Sequence, residues 1–402
     1  DVYKRQVSTW AQLPNSETHY SNADLTPEAL GDDYQRLFVE IVLNHAAKLM
    51  LAFHNGEPPP PLRLLLLGTA GTGKTRAIQT LLEQTQQMLK EMNLPTTFVR
   101  AAAPTGTAAF NIRYSATTIH RLIHWFNPRF FDKLTDDKKL FALQEHFRHT
   151  RLILIDEVSM VGRRMMGRIA TRLEEAAPVQ NQYVHSHDMG GLSAVCVGDP
   201  AQCEAIFDDQ MYDRTPHKGT TDHTDAARLS NRGMDVYAGF DEVVVLTTWH
   251  RGKFLAKENP TEEEKAYNDR AARFMKVLHG IRDLTWTLDD YYWLCKRKKS
   301  NLSITERARF YDAPVIMEFR RQRDDNPENN CQAFNRGKLL RHARERNVPV
   351  VRFDAQHEGV EQADGMDIGE EQFSGLAPTL ELAEGALVFV THNLAVDHGL
   401  MN

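Results

Sequence analysis

Short apolar runs alternate with stretches whose apolar residues recur at helical spacing. The runs are Leu62–Leu67, Thr97–Ala101, Leu152–Ile155, Ala194–Val197 and Val243–Leu246. Their length and their near-continuous apolar character predict strands of a parallel sheet covered on both faces. Between them, Leu37, Ile41, Leu43, Ala47 and Leu51 predict a helix within 31–53. Ile78, Leu81, Leu82, Leu89 and Met92 predict another behind residue 75. A strand–helix alternation of this kind is the signature of an α/β fold. A second α/β pattern starts near 248, with helical stretches at 262–282 and 288–299. Its strands are expected around Val315–Phe319, Val348–Phe353 and Gly385–Val390. No internal repeat is visible. The expected layout is therefore a poorly ordered 1–30, a first domain over 31–247 and a second over 248–402.

Three stretches break the alternation. Gly56–Pro61, with four consecutive prolines, is a stiff connector into the first strand. Residues 121–148 mix aromatic and basic side chains and read as an insert in the first domain. Residues 208–235 are rich in Asp, Thr, Arg and Gly and read as a mobile loop.

Candidate chemistry sits at the ends of the apolar runs. Gly68–Thr75 reads Gly-Thr-Ala-Gly-Thr-Gly-Lys-Thr directly behind Leu62–Leu67. This is a phosphate-binding loop in its proper setting, and it points to a nucleoside triphosphate with magnesium. Backbone N–H groups of Gly71, Thr72 and Gly73 wrap the phosphates, Lys74 reaches the β/γ oxygens and the Thr75 hydroxyl goes to the metal. Leu152–Ile155 ends in Asp156-Glu157. Asp156 suits the magnesium shell and Glu157 suits polarising an attacking water. Gly198-Asp-Pro-Ala-Gln202 ends the next run. A glutamine there can touch both the γ-phosphate and a nucleic-acid strand, although Gly-Asp-Pro alone is a turn.

Other signals leave two readings open. Thr105-Gly106, opening a helix after Thr97–Ala101, presents donors to a phosphate. His120, in Thr117-Thr-Ile-His120, contacts nucleic acid or simply satisfies a helix start. Arg251 serves as a finger on the γ-phosphate or as a surface cation. Trp125 and Phe126, within His124–Phe131, offer faces on which bases stack, or they pack the insert onto the core. Cys295–Lys299 and Phe319–Arg323 add positive charge to the second domain, or form solvated helix faces.

The bulk numbers narrow the classes. The chain has 402 residues, a net charge of −6, 42% hydrophobic and 25% charged residues. The charge excludes a generally basic nucleic-acid coat but not a local basic groove. No apolar run is long enough to span a membrane. Four scattered cysteines lack zinc-ligand spacing, so reduced thiols inside a cell and no structural metal are expected. Asp1–Gln6 back-translates into a transposase adapter end and is expected to be non-native.

In order, these residues resemble the PIF (petite integration frequency) family of superfamily-one DNA helicases, including the helicase segments of Helitron-type transposons. The resemblance runs from about Gln35 to Asn402. It is most specific at Gly68–Thr75, Pro104–Ile112, Thr117–His120, Leu152–Met160 and Gly198–Gln202. Ala333-Phe-Asn335 with Leu339, and Gly385–Val390 followed by Asn393 and Gly399–Asn402, are similar to the family's second-domain signatures. The resemblance implies two RecA-like domains, the second incomplete, with ATP between them. It implies 5′-to-3′ movement along single-stranded DNA and opening of duplex junctions; the protein is expected to be a monomer inside the cell, in the nucleus rather than the mitochondrion. Gln35 would contact the adenine, Arg251 would be the finger, and the aromatic insert would be the wedge.

The chain departs from the family at three places. Arg113-Tyr114-Ser115 stands where a small glycine is usual. Cys203-Glu204-Ala205 replaces Leu-Pro-Pro. The late Thr-x-His-Lys-Ser-Gln-Gly element, the final arginine element and the SH3-like insert lie nowhere in the sequence. The polypeptide is thus expected to be a C-terminally truncated piece that binds ATP but does not unwind DNA. A P-loop ATPase that remodels a protein, and a DNA-binding transposon relic without catalysis, are the alternatives.

Overall fold

The structure, a computed structural model, describes residues 24–56, 58–125, 131, 133–177, 188–216, 225–250, 261–311, 313–316, 331–354 and 379–388, without the side chains of 54 and 55. In chain order the first part runs α1 (Asp33–Asn55), β1 (Arg63–Gly68), α2 (Lys74–Glu91), β2 (Val99–Ala103) and α3 (Gly106–Ile112). It continues with β3 (Thr117–Thr118), α4 (Ile119–Leu122), α5 (Asp137–Phe147), β4 (Leu152–Ile155) and α6 (Arg163–Ala176). It ends with β5 (Ser193–Gly198), α7 (Asp225–Ala238) and β6 (Glu242–Leu246). The six strands form one parallel sheet in the order β3-β2-β4-β5-β1-β6.

Alternation along the strands builds the two cores. Leu64, Leu66, Leu152, Leu154, Val195 and Val197 face one side, where Phe38, Val39 and Val42 of α1, Ile78 and Leu81 of α2 and Ile112 of α3 cover them. Leu65, Ile153, Ile155, Ala194 and Cys196 face the other, under Leu122, Phe147, Met166, Ile169 and Val236. Successive strand residues point to opposite faces, so a strand apolar at every position is buried twice. Burial in the second layer pushes the Cys196 thiol up to about 12, which leaves it an inert core residue.

Two expectations about loops are corrected. Within 208–235, residues 225–235 belong to the ordered helix α7. It packs on α6 through small residues: a Cβ at Gly233 would lie 1.8 Å from the Arg163 carbonyl oxygen, and one at Gly167 2.1 Å from that of Leu229. Backbone contact of this kind leaves little apolar periodicity to read. Likewise, residues 24–30 are not loose. Leu30 is buried, and the Asp24 and Leu25 carbonyls accept hydrogen bonds from Arg76 and Gln84 of α2.

The chain divides into two compact units between Met275 and Lys276, inside α8 (Glu262–Arg282). The second unit contains α9 (Leu288–Cys295), α10 (Ile304–Ala308), α11 (Cys331–Arg346), β7 (Val350–Asp354) and β8 (Thr379–Ala383), with β7 and β8 antiparallel. The helix expected over 288–299 ends at Cys295, short of the Lys296–Lys299 cations. Val315 and Ile316 are exposed coil, and the last expected strand lies earlier, at 379–383. Gly385, with φ 73°, makes the turn that ends it. The alternating Thr-Leu-Glu-Leu-Ala of β8 suits a half-exposed ribbon, not a buried parallel strand. The rest of 315–319 and 385–390, with Asn393, Gly399–Asn402 and 319–323, lies outside the described residues.

Candidate nucleotide-binding site

The sheet gathers the predicted chemistry at one edge. In register, Leu67 of β1 lies beside Gly198 of β5, Gly68 beside Leu246 of β6, and Ile155 of β4 beside Cys196 of β5. The strand ends carrying Gly68–Thr75, Asp156-Glu157 and Asp199–Gln202 are therefore adjacent carboxyl ends of parallel strands. That edge is where open α/β sheets bind ligands.

The loop behind β1 needs its glycines. Gly71 and Gly73 have φ of 89° and 84°. A Cβ at Gly73 would also stand 2.2 Å from Nε2 of Gln35. Lys74 opens α2, and its Nζ donates to the carbonyls of Gly68 (2.7 Å) and Thr69 (3.3 Å), folding over the loop. Thr72 Oγ1 donates to the Thr69 carbonyl at 2.8 Å. Thr75 is exposed on the first turn of α2.

Gln35 joins this site directly. It is 2% exposed, and its Nε2 donates to the Thr72 carbonyl at 2.8 Å. Asp32 caps α1 by accepting from the N–H groups of Tyr34 (2.9 Å) and Gln35 (3.1 Å). Burial works to raise the Asp32 carboxyl, but hydrogen bonds from Thr248, Gln35 and Tyr34 outweigh it and hold the group below the usual carboxylate range. From the other side, the His250 N–H donates to the Gly71 carbonyl at 2.8 Å. Asp32, Thr248 and His250 thus brace the loop, and the sequence reading assigned them nothing. The Asp-x-x-Gln spacing of a helix start was a signal for the first.

Asp156 is buried, and its Oδ1 accepts from the Glu157 N–H at 2.8 Å. Burial pushes its carboxyl up to about 6. The Glu157 N–H opposes that, the Glu157 charge adds to it, and Lys74 pulls it down. Glu157 itself sits at φ 53°, ψ 47°, a left-handed conformation for a non-glycine residue. At the β5 tip, Asp199 is buried and organises the turn. It accepts from the Ala201 N–H (3.1 Å) and from Nε2 of Gln202 (3.3 Å).

The predicted nucleic-acid contacts begin at the next strand end: β2, which precedes Thr105-Gly106, pairs with β4, and the Asp156 N–H donates to the Ala102 carbonyl at 2.9 Å. Thr105 Oγ1 caps α3 by accepting from the Ala108 N–H at 3.2 Å, and Gly106 is buried. His120 stacks on Trp125 with centroids 4.7 Å apart. Burial, with Arg168 adding, lowers the His120 pKa, which keeps the imidazole neutral. Trp125 is 6% exposed. Arg168 lies over its ring at 4.4 Å, and Phe131 meets it edge-on. Of the two readings for this indole, packing is the one the geometry displays, because protein groups already occupy the ring. Phe126 and Arg251 lie outside the described residues.

The family model for the AAA domain matches residues 62–231, which takes in every strand of the six-stranded sheet except β6. The ATP-dependent DNA helicase PIF1 of Candida albicans is 28% identical over 225 residues, 55% of this chain and 21% of that protein. The ATP-dependent DNA helicase RRM3 of Saccharomyces cerevisiae is 30% identical over 139 residues, 33% of this chain and 17% of that protein. Over these stretches the chain is similar to PIF1-type helicases. The fold agrees: the crystal structure of the Candida albicans Pif1 helicase superposes with a TM-score of 0.53 at 18% identity, covering 88% of this chain and 63% of that one. The matched segments span about a fifth of the length of the PIF1 and RRM3 proteins. Among the described residues, no helix is long and apolar enough to cross a membrane.

Proposed function

We propose that this PIF1-type chain is the motor segment of an ATP-dependent DNA helicase that moves 5′ to 3′ on single-stranded DNA and opens duplex junctions. The observation that carries the reading is the convergence of Lys74, Asp156 and Asp199–Gln202 at adjacent carboxyl strand ends, beside a loop built for phosphates. The PIF1-type relatives supply the DNA track. Lys74 holds the β/γ oxygens, and Gln35 fixes the loop and meets the adenine. Glu157 orients the attacking water and takes up its proton. Gln202 reports the state of the γ-phosphate to the strand, and Arg251 acts as the finger.

The donors also fit a magnesium ion. The Thr75 hydroxyl and the Asp156 carboxylate are hard oxygen ligands. A buried carboxyl held near 6, with Lys74 as its cationic neighbour, is the kind of group that a cation settles in the ionised form. When bound with the nucleotide, the ion supplies charge neutralisation of the phosphate oxygens.

Thr105, Gly106, His120 and Phe126 line the DNA path, with Trp125 as internal support for the insert that acts as wedge. The protein works as a monomer within the cell, in the nucleus, in genome maintenance, repair, recombination, telomere maintenance or transposition.

The test is strand separation by the complete gene product on duplexes with a single 5′ or a single 3′ tail. Opening of the 5′-tailed substrate alone, lost in Lys74→Ala, is expected. Opening of the 3′-tailed substrate would overturn the polarity, and activity surviving Lys74→Ala would overturn the site.

A further inference from the structure

The segment that follows Gln202 is tied to the helix that follows Asp156-Glu157, and one carboxylate makes the knot. Asp208 is nearly buried. Its Oδ1 accepts from the N–H of Arg164 (3.1 Å), from Nε of Arg164 (3.1 Å) and from the N–H of Asp209 (2.9 Å). Its Oδ2 accepts from the Met165 N–H at 3.1 Å. Asp208 therefore caps α6 from elsewhere in the chain. The local cap position, Gly162, has no side chain, and a Cβ there would lie 2.3 Å from Asp208 Cγ. The glycine makes room for the distant carboxylate.

Arg163 draws the knot tight. It is 1% exposed, and its guanidinium donates to the carbonyls of Thr215 (2.7 Å) and Ser230 (3.3 Å) and to Asn231 Oδ1 (3.1 Å). Its own N–H donates to the Asp209 carbonyl at 2.9 Å. Between the two fixed points, Gln202 on the Asp199 turn and Asp208 on α6, only five residues intervene. They are mostly exposed, and Phe207 is forced to φ 55°. The same two chain segments touch again nearer the sheet. Gly198 packs so closely on the 158–160 turn that a Cβ would stand 2.8 Å from Val158 Cγ1. A short span held at both ends follows its anchors.

We infer that Asp208 is a positioning residue for Gln202. It makes the start of α6, and with it the turn behind Asp156-Glu157, carry the Gln202 segment along when the nucleotide site changes. The inference rests on the nucleotide-site reading given above. The experiment is hydrogen exchange by mass spectrometry on the full chain, with and without a non-hydrolysable ATP analogue and magnesium. Peptides covering 68–75 report binding, and peptides covering 199–207 report the coupled segment.

In the wild type, the analogue should slow exchange in both, by on the order of tenfold for 199–207. In Asp208→Ala, 68–75 should still slow while 199–207 no longer responds. Asp208→Asn keeps one oxygen to accept from Arg164 and Asp209, and should recover part of the response. A cap that only stabilised α6 would lower the melting temperature and leave the 199–207 response intact. That result overturns the inference, as does a wild type in which 68–75 responds and 199–207 does not. A wild type in which 68–75 itself fails to respond overturns the nucleotide site, and the inference with it.

Discussion

Replacing Asp156 by Asn should stabilise the protein at neutral pH while disabling it. The Asp156 carboxyl is pushed by burial from the ordinary 3.8 to about 6, so the folded chain resists its ionisation. At about 1.4 kcal/mol per pKa unit, that shift is worth about 3 kcal/mol. The sign follows from the direction. A folded-state pKa above the unfolded one gives a contribution that is fully favourable below pH 3.8 and is lost as the pH rises through 6. At pH 8 the wild type therefore carries the whole cost, and the uncharged amide of the Asp156→Asn variant carries none. The amide oxygen can still accept from the Glu157 N–H, as Oδ1 does at 2.8 Å. Urea unfolding of wild type and Asp156→Asn, followed through the buried indole of Trp125, measures the difference. The expected gap is up to about 3 kcal/mol in favour of the variant at pH 8, closing towards zero near pH 4. ATP hydrolysis should be lost at every pH. A gap independent of pH, or a variant less stable at pH 8, would refute the argument that this carboxylate is a desolvated charge kept for chemistry.

Two further outcomes test the neighbourhood. Gln35→Ala removes the buried bond to the Thr72 carbonyl and should weaken nucleotide binding about fivefold, the worth of one such bond. Titration with a fluorescent ATP analogue measures it, and unchanged affinity would remove Gln35 from the site. Ser115 is exposed at φ 57°, after Arg113 and Tyr114 at φ 67° and 51°. Ser115→Gly should raise urea stability by about 1 kcal/mol, because glycine adopts that backbone without steric cost. A loss of stability there would mean that the turn is held by its side chains.

The sheet was legible in the sequence because its strands are buried on both faces, so Leu62–Leu67 and Leu152–Ile155 read as unbroken apolar runs. The two-residue β3 was not, since Thr117-Thr118 is too short and too polar to stand out. Lys74, Asp156 and Glu157 could be read because their chemistry is local to one strand end each. Asp32, Thr248 and His250 could not. They meet across long sequence separations: the Thr248 side chain bonds the Asp32 carboxylate that caps α1, and His250 reaches Gly71 through a backbone N–H that any residue type could supply. Helix α7 escaped for a related reason: its contact with α6 is made by Gly167 and Gly233, which carry no hydrophobic signal. Trp125 shows the opposite failure. An aromatic beside cations reads equally well as a base platform or as a packed ring, and only the positions of Arg168 and His120 separate the two.

The central claim is that phosphate loop, acids and sensor form a motor that runs on nucleic acid. Steady-state ATP turnover, with and without single-stranded DNA, tests it most directly in the complete gene product. The account predicts a several-fold rise in turnover with single strands and its abolition by Lys74→Ala. Turnover indifferent to single strands would contradict it.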